Sequence, residues 1–405
     1  MDHFSKPKTE NRKPKTYLGL QTLVFSLVAA AFANVYITQP VLPVIRAEFG
    51  VSAFMASLTV SAVILGIALA NLPFGALADR APVRVIILVG GTVVAACALV
   101  CAATDQLYLL LGARFVQGLF IPALTTCLAA YLAANLPLER LNVVMGSYVS
   151  ATVVGGLSSR LLGGWIHPPL HWRYAFVTAA ALLILATLNA LRGLPPGKPH
   201  RISAREGVGF MQLLSLPDLR RVLLAPFGGF FVFSSLFNYM PFYLSGPPFN
   251  APTQLITLLY LTYLIGVIMG PLAGKLSNRI GSGGTMILGS GVFALAIAVT
   301  LIKSWAAMVL ALALVCAGHF AIHAAAAGSL NRKLTAGHGR ANSLYVLAYY
   351  LGGAGGITLS GYAYGLAAWP GVAALGALML SLPFYVGLKE RRLEQSVAAL
   401  EEKVE

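Results

Sequence analysis

Charged side chains are scarce in this chain. Asp, Glu, Lys and Arg make up 10% of its 405 residues, whereas an ordinary soluble domain carries roughly 25%. Hydrophobic residues reach 58%, so the chain has too few polar side chains to cover a globular fold. This composition excludes a conventional soluble enzyme and predicts an integral membrane protein.

Signals for catalysis, nucleotide binding and disulfides are also missing. The sequence shows no soluble domain and no nucleophile constellation, and its glycine-dense segment 352–356 follows a helical pattern rather than a strand, which argues against a phosphate loop. The four cysteines fall inside apolar segments, where cysteine behaves as a small apolar residue. We therefore expect no disulfide framework, no metal site and no cofactor.

Apolar segments long enough to cross a bilayer recur along the chain. A helical crossing takes about 20 apolar residues, and these segments lack the strict alternation of membrane barrels. A helix also satisfies every backbone polar group within lipid. We predict an all-α integral membrane fold with twelve transmembrane helices in two blocks: 18–42, 53–75, 84–103, 107–133, 142–165 and 172–192, then 220–244, 254–274, 284–302, 305–328, 341–366 and 368–388.

Basic residues are distributed unevenly between the two sides of this topology. Of the 28 Lys and Arg, 23 fall on one side, and two, Arg114 and Arg160, lie inside helices. The other side receives three: Arg46, Arg173 and Lys303. Because cytoplasmic loops carry the excess of Lys and Arg, we expect both termini in the cytoplasm. The net charge of +15 is then explained by the basic residues of cytoplasmic segments, so nucleic acid is not an expected partner.

An internal repeat divides the chain in two. The segment 75–80 follows the second helix, and the similar segment 274–279 follows the eighth at an offset of 199 (274 − 75). Arg140 is answered by Arg340, and the glycines of helix 5 are answered in helix 11 at similar offsets. Two six-helix bundles related by pseudo-two-fold symmetry follow. The predicted units are a tail 1–17, bundles 18–193 and 219–388, a cytoplasmic linker 194–218 and a tail 389–405.

The loop after helix 2 resembles the signature of the major facilitator superfamily. It reads Gly75-Ala-Leu-Ala-Asp79-Arg80-Ala-Pro-Val-Arg84, and the resemblance extends over about 18–390. It implies that Asp79, with Gly75, Arg80 and Arg84, gates the cytoplasmic ends of the helices. The sequence departs from the family's pattern at Pro82 and Val83.

Two further helices resemble the drug and solute efflux branch of that superfamily. Arg114-Phe-Val-Gln117-Gly118 matches its helix 4 motif, in which the arginine is linked to proton coupling; a purely structural arginine bonded to carbonyls is the alternative. Helix 5 places Gly155, Gly163 and Gly164 as in the antiporter motif, but Arg160 replaces its proline. Since proline bends a helix, we expect a straight helix here. The chain also resembles the YnfM-like bacterial permeases here and at 38–40.

The spans contain few groups that could carry a proton. None of the 13 acidic residues falls in the middle of a span. His319 and His323 share one face of helix 10 and titrate near neutral pH, so they are candidates for the coupling proton; a structural histidine pair is the alternative. The interior charge is neutral to positive, which suits a polar or anionic solute. Further candidates for lining a midplane site are Tyr36, Gln39, Gln117, Asn238, Tyr239 and Tyr349.

Three functional hypotheses remain. The leading one is a secondary carrier of the bacterial inner membrane that exports a small polar or organic solute in exchange for protons, by rocking 1–193 against 219–388. The second is uptake or uniport of an organic anion that binds Arg114 and Arg160. The third, a membrane receptor or integral-membrane enzyme, needs a loop domain or a catalytic pair that the sequence lacks. The expected partners are the small solute and the lipid bilayer, with the chain a monomer.

Overall fold

Helices make up the regular structure of this protein. A computed structural model describes residues 15–78, 80–194, 209–334 and 337–401, and its regular elements in those ranges are helical, which confirms the all-α prediction. The elements are α1 Lys15–Ala33, α2 Leu42–Phe49, α3 Ala53–Ala78, α4 Val83–Ala103, α5 Leu107–Leu124, α6 Thr126–Asn135, α7 Leu138–Ile166, α8 Arg173–Gly193, α9 Phe210–Ser215, α10 Pro217–Ser245, α11 Thr253–Leu259, a 3-10 turn Tyr260–Leu264, α12 Ile265–Thr300, α13 Trp305–Arg332, α14 His338–Met379 and α15 Ser381–Glu401.

Eight continuous helical stretches of the described chain are long and apolar enough to cross a membrane. Two of them, Thr253–Thr300 and His338–Ser396, contain 48 and 59 residues. A straight helix of 48 residues would be about 72 Å long, more than twice the hydrocarbon core of about 30 Å. Non-helical backbone angles break both stretches, at Gly281 and at Ala367–Ala368. The chain is thus a multi-pass membrane protein, and the count of twelve stays a prediction.

The helices pack in two sets, and the most extensive contact between the sets is that of α3 with α14. In the first set α1 packs on α7 and α8, α3 on α5, and α4 on α5 and α8. In the second set α10 packs on α13 and α14, and α12 on α13 and α15. Contacts between the sets are made by α3 with α14 and by α7 with α11 and the 3-10 turn. The boundaries of the two bundles stay a prediction, and 1–14, 195–208 and 402–405 of the tails and linker lie outside the described residues.

The first predicted span, 18–42, is wrong at its end. Helix α1 stops at Ala33, and residues 34–41 form a buried segment without regular helix. Pro40 has no amide N–H and disfavours helical angles at Gln39. Irregular backbone at membrane depth is tolerated where protein supplies its hydrogen bonds, and the Tyr36 amide donates to Ser159 Oγ at 2.8 Å. We call residues 34–41 the unwound segment.

Smaller interruptions correct three other predicted spans. The span 107–133 breaks at Thr125, three residues after Pro122, which cannot donate to the helix ladder. The span 254–274 contains the 3-10 turn, and 368–388 is interrupted at Leu380, between α14 and α15. Helix α7, in contrast, continues through Arg160, as expected from the missing proline.

An ionic cluster ties the predicted external ends of the first set together. Glu48, on α2, accepts hydrogen bonds from the Trp172 indole at 2.5 Å and from the Arg173 guanidinium. Arg173 also donates to the Thr104 carbonyl at 2.8 Å and pairs with Asp105 at 3.1 Å. Partial burial alone would raise the pKa of the Glu48 carboxyl, but the bonds from Trp172 and Arg173 hold that pKa below its usual value.

Glu48→Gln is therefore expected to lower the melting temperature of the purified protein at pH 7. A carboxyl with a depressed folded-state pKa stabilises the fold above its unfolded pKa of about 4.3 and loses that contribution as the pH falls through the folded value. The difference between wild type and variant should shrink below about pH 4.5. Asp105→Asn is the matched control, because the Asp105 side chain is 93% exposed and exposed pairs contribute little. An equal or larger loss in the control would contradict this assignment.

Candidate functional site

A cavity of about 860 Å³ lies between the two helix sets. Thr126, Ala129, Gly339 and Asn342 line one end, at the helix termini that the basic residues assign to the cytoplasm. At the other end, residues just beyond the cavity are buried. They are Ile37, Gln39, Thr257 and Tyr260. The cavity thus opens toward the predicted cytoplasmic side and is sealed toward the other.

Arg160 of α7 lies at the sealed end of the cavity. Its guanidinium donates to Gln39 Oε1 at 2.7 Å, to the Gly156 carbonyl at 2.6 Å and to the Tyr263 hydroxyl at 2.8 Å. The guanidinium carbon lies 3.8 Å from the Tyr36 ring centroid and 4.3 Å from that of Tyr263. Among the described residues that line the cavity, Arg160 is the one with a permanent charge.

The bond between Arg160 and Tyr263 joins the two helix sets. Arg160 belongs to the first set, and Tyr263 lies on the 3-10 turn of the second. One turn further along α7, Gly164 faces Thr257 of α11 so closely that a side chain at Gly164 would overlap the Thr257 hydroxyl. Phe54 of α3 and Tyr362 of α14 add a ring contact with centroids 4.7 Å apart. These contacts hold the sealed end together.

Arg114 and Gln117 lie together but outside the cavity lining. Arg114 is fully buried and donates to the carbonyls of Thr59 at 2.9 Å, Asn34 at 2.6 Å and Val35. It also donates to Gln117 Oε1 at 2.7 Å, and the Gln117 amide donates to the Val94 carbonyl at 3.2 Å. The arginine satisfies carbonyls just past the end of α1. This geometry favours the structural alternative for Arg114 over direct contact with solute.

His319 and His323 are neighbours on α13 with different surroundings. His319 is buried, hydrogen-bonds through Nδ1 to the Gly229 carbonyl at 3.2 Å and stacks on Phe233 at 4.1 Å between ring centroids. His323 lines the cavity, and the Tyr345 hydroxyl lies 3.0 Å from its Nδ1. The two imidazole centroids are 6.1 Å apart. In the described chain neither histidine contacts a carboxylate.

The other candidate lining residues separate into two groups. Tyr36 and Tyr349 line the cavity, and Tyr349 stacks on Phe230 with centroids 3.8 Å apart. Asn238 and Tyr239 are buried on α10, away from the cavity lining. The Tyr239 hydroxyl donates to the Ile357 carbonyl at 3.0 Å, whereas the Asn238 amide has no hydrogen-bond partner among the described residues.

The predicted gating glycines of α7 pack on the first span. A side chain at Gly155 would come within 2.5 Å of the Ala29 carbonyl oxygen, and one at Gly163 would overlap the Ile37 carbonyl oxygen. Only glycine permits this approach of two backbones. Gly164 makes the contact with Thr257 described above, so α7 adjoins both helix sets.

The predicted gate after helix 2 is described in part. Arg84 donates through Nε to the Leu194 carbonyl at 2.9 Å, which ties the start of α4 to the end of α8. Arg80 is exposed, and a side chain at Gly75 would meet only the Thr126 methyl group, at 4.0 Å. Asp79 lies outside the described residues.

The sequence-based site missed the aromatic wall of the cavity. Phe230, Phe233, Tyr263 and Tyr345 line it, and Phe233 and Tyr263 are in edge contact with centroids 5.1 Å apart. Phe230 and Phe233 belong to a run of phenylalanines on α10 spaced three or four residues apart. That spacing places them on one helix face and could have indicated an aromatic lining.

Comparison with known proteins decides the family. The Major Facilitator Superfamily profile matches residues 24–318. The chain belongs to the major facilitator superfamily. It is 30% identical over 383 residues to the inner membrane transport protein YnfM of Escherichia coli K12, covering 93% of this chain and 91% of that protein. It is 26% identical to the MFS-type transporter YybF of Bacillus subtilis 168, covering 92% and 95%.

Solved structures support the same fold. A bacterial homologue of the human lysosomal transporter Spinster, in an inward-facing and unoccupied conformation, superposes with a TM-score of 0.74 at 16% identity and covers 94% of this chain and 98% of that one. The resemblance seen at 75–84 is confirmed for the superfamily by the profile match and the sequence relatives. The relatives also confirm that the chain is a membrane solute transporter rather than an enzyme.

Proposed function

We propose that this transporter exports a small polar or organic solute in exchange for protons. The observation that supports alternating access is the cavity itself, open at one end and sealed at the other by contacts between the helix sets. Rocking 1–193 against 219–388 would break those contacts and close the open end. The proton gradient would supply the energy, without a cofactor, to a monomer in the bacterial inner membrane with both termini cytoplasmic.

The proton would travel on His323, with His319 as its neighbour. Among the described lining residues there is no Asp or Glu, so the usual membrane carboxylate has no counterpart there. His323 lines the cavity, and its imidazole, with Nδ1 3.0 Å from the Tyr345 hydroxyl, is a group that can take up and release a proton there. Its protonation in the cavity that also holds Arg160 and a bound solute would couple the charge of the site to the pH on the open side.

A second candidate is uptake or uniport of an organic anion. It is favoured by the positive charge of Arg160 at the sealed end of a cavity lined otherwise by neutral and titratable groups. In export by exchange the proton moves opposite to the solute, in proton-coupled uptake the two move together, and in uniport no proton moves with the solute. The two can therefore be separated by one measurement.

That measurement uses purified protein in liposomes with an imposed pH gradient and a pH-sensitive dye inside. Small anions, sugars and drugs are added one at a time. A solute-dependent pH change whose sign corresponds to proton–solute exchange supports export by antiport. The opposite sign supports proton-coupled uptake. Solute movement without a pH change would favour a facilitator and overturn the proton-coupled proposal.

Replacing His323 with glutamine should reduce the solute-dependent pH change at least ten-fold. Solute counterflow should persist, because it needs no net proton movement. The double variant His319→Gln/His323→Gln should behave in the same way as the single variant. His171→Gln is the matched control, because this histidine is exposed on the predicted external side. Full pH coupling in the double variant would show that the histidines are structural.

A further inference from the structure

We propose that the cavity binds an aromatic monoanion whose carboxylate replaces the Tyr263 hydroxyl on Arg160. This inference rests on the proposed carrier function and names the substrate class of that cavity. It also gives Arg160 a second role, because the bond that the anion replaces is one that holds the sealed end together.

The two buried arginines differ in the partners of their N–H groups. Arg114 gives three of its N–H groups to backbone carbonyls and one to Gln117, away from the cavity. Arg160 faces the cavity, and its hydrogen bonds within the described chain use three of its five N–H groups. In the described chain no carboxylate pairs with Arg160. A buried guanidinium without a counter-ion is costly, and a ligand carboxylate would supply that counter-ion.

Aromatic rings surround the Arg160 guanidinium and line the cavity next to it. The rings of Tyr36 and Tyr263 lie on the guanidinium, and Phe230, Phe233 and Tyr349 continue the wall along the cavity. Flat apolar walls stack best on a flat ligand body. One permanent positive charge matches one negative charge, since a second carboxylate would be buried without a partner. The geometry therefore favours an aromatic acid with a single carboxylate.

The hydrogen bond from Arg160 to Tyr263 would link binding of the anion to movement of the helix sets. Carboxylate recognition by arginine uses two parallel N–H groups, and one Nη2 N–H now donates to the Tyr263 hydroxyl. A carboxylate that entered from the cavity and bound through Nη2 would compete with the Tyr263 hydroxyl for this nitrogen and so release Tyr263. The release removes a hydrogen bond between the helix sets at the sealed end. Occupancy by the anion would thus lower the barrier to opening that end, which is the event a carrier must link to solute binding.

The test measures ligand binding to the detergent-purified full chain by isothermal titration calorimetry. The probes are benzoate, phenylacetate, indole-3-acetate and 1-naphthoate, each beside its amide and amine counterpart and beside acetate. At least one aromatic carboxylate is expected to bind ten-fold or more tightly than its amide, its amine and acetate. Arg160→Gln should remove that preference. Absence of binding by all four carboxylates, or equal affinity across a matched series, would overturn the proposal.

A tyrosine pair tests the exchange and does not depend on the folding of Arg160 variants. Tyr263→Phe removes the competing hydroxyl and should tighten binding of the preferred carboxylate several-fold. Tyr260→Phe is the control, because its hydroxyl donates to the Phe237 carbonyl at 3.2 Å, and its affinity should stay at the wild-type value. Unchanged or weaker binding in Tyr263→Phe contradicts the exchange.

The outcomes also separate this inference from the proposed function. If liposomes show solute-dependent proton exchange with neutral or cationic solutes and aromatic acids do not bind, the carrier proposal stands and the aromatic-anion inference fails. If an aromatic acid binds through Arg160 and crosses the membrane without a pH change, the inference stands and proton exchange fails.

Discussion

Replacing Arg114 with leucine is expected to reduce the yield of folded protein at least ten-fold. The change leaves the carbonyls of Thr59, Asn34 and Val35 without their donor in a buried, lipid-surrounded site. Each unsatisfied buried group costs about 1–3 kcal/mol, and the total is a large part of the roughly 5–15 kcal/mol by which proteins are stable. Size-exclusion chromatography of a fluorescent fusion in detergent measures the loss.

Arg160→Leu is the matched control for this prediction. It also removes a buried arginine, but the one backbone carbonyl that Arg160 binds belongs to Gly156 in its own helix. We expect Arg160→Leu to yield several times more folded protein than Arg114→Leu while losing preference for aromatic carboxylates. The reverse order of yields would show that Arg114 is not the residue that holds the unwound segment. Arg114→Lys, if folded, should keep the ligand preference, because Arg114 lies outside the cavity lining.

The helical membrane fold could be predicted because it follows from properties of the sequence alone. Scarce charge and long apolar runs place the segments in lipid, where water cannot pair with backbone N–H and C=O groups. Each segment must therefore form its backbone hydrogen bonds internally, and a helix does so. The arginines inside spans were likewise recognisable, since a charge in lipid marks a functional or structural site. What composition does not contain is the direction in which each arginine points. Both arginines occupy predicted spans, yet one binds backbone and the other faces the cavity.

The unwound segment shows more clearly what the sequence alone does not predict. Its residues are a mixture of apolar and polar side chains, and Pro40 alone does not specify where the helix ends. The end at Ala33 becomes acceptable because Arg114, Ser159 and the backbone approach at Gly163 come from other helices. Such contacts are tertiary and leave no local periodicity. The pairing of Arg160 with Tyr263 is of the same kind, because it joins positions 103 residues apart.

Gly163→Ala should destabilise the transporter and slow solute movement. Apart from Gly164→Ala, we expect it to have the largest effect of any glycine-to-alanine change on α7. The added carbon would overlap the Ile37 carbonyl oxygen. That oxygen belongs to backbone and cannot rotate away, so the unwound segment or α7 must shift. Overpacking of this kind costs typically about 1–3 kcal/mol. Thermal unfolding in detergent, followed by tryptophan fluorescence, measures the stability, and counterflow in liposomes measures the rate.

Gly146→Ala on the same helix provides the control, because nothing lies within 4 Å of the added carbon. Removing a helical glycine there should stabilise the protein slightly, by about 0.5–1 kcal/mol. The two variants change the same atoms in the same helix, so a difference between them isolates the contact with the unwound segment. Equal melting temperatures and equal rates would mean that α7 and the unwound segment are not in close contact in the populated state. If Gly163→Ala slows counterflow but leaves the melting temperature unchanged, the contact forms during the transport cycle rather than in the most populated state.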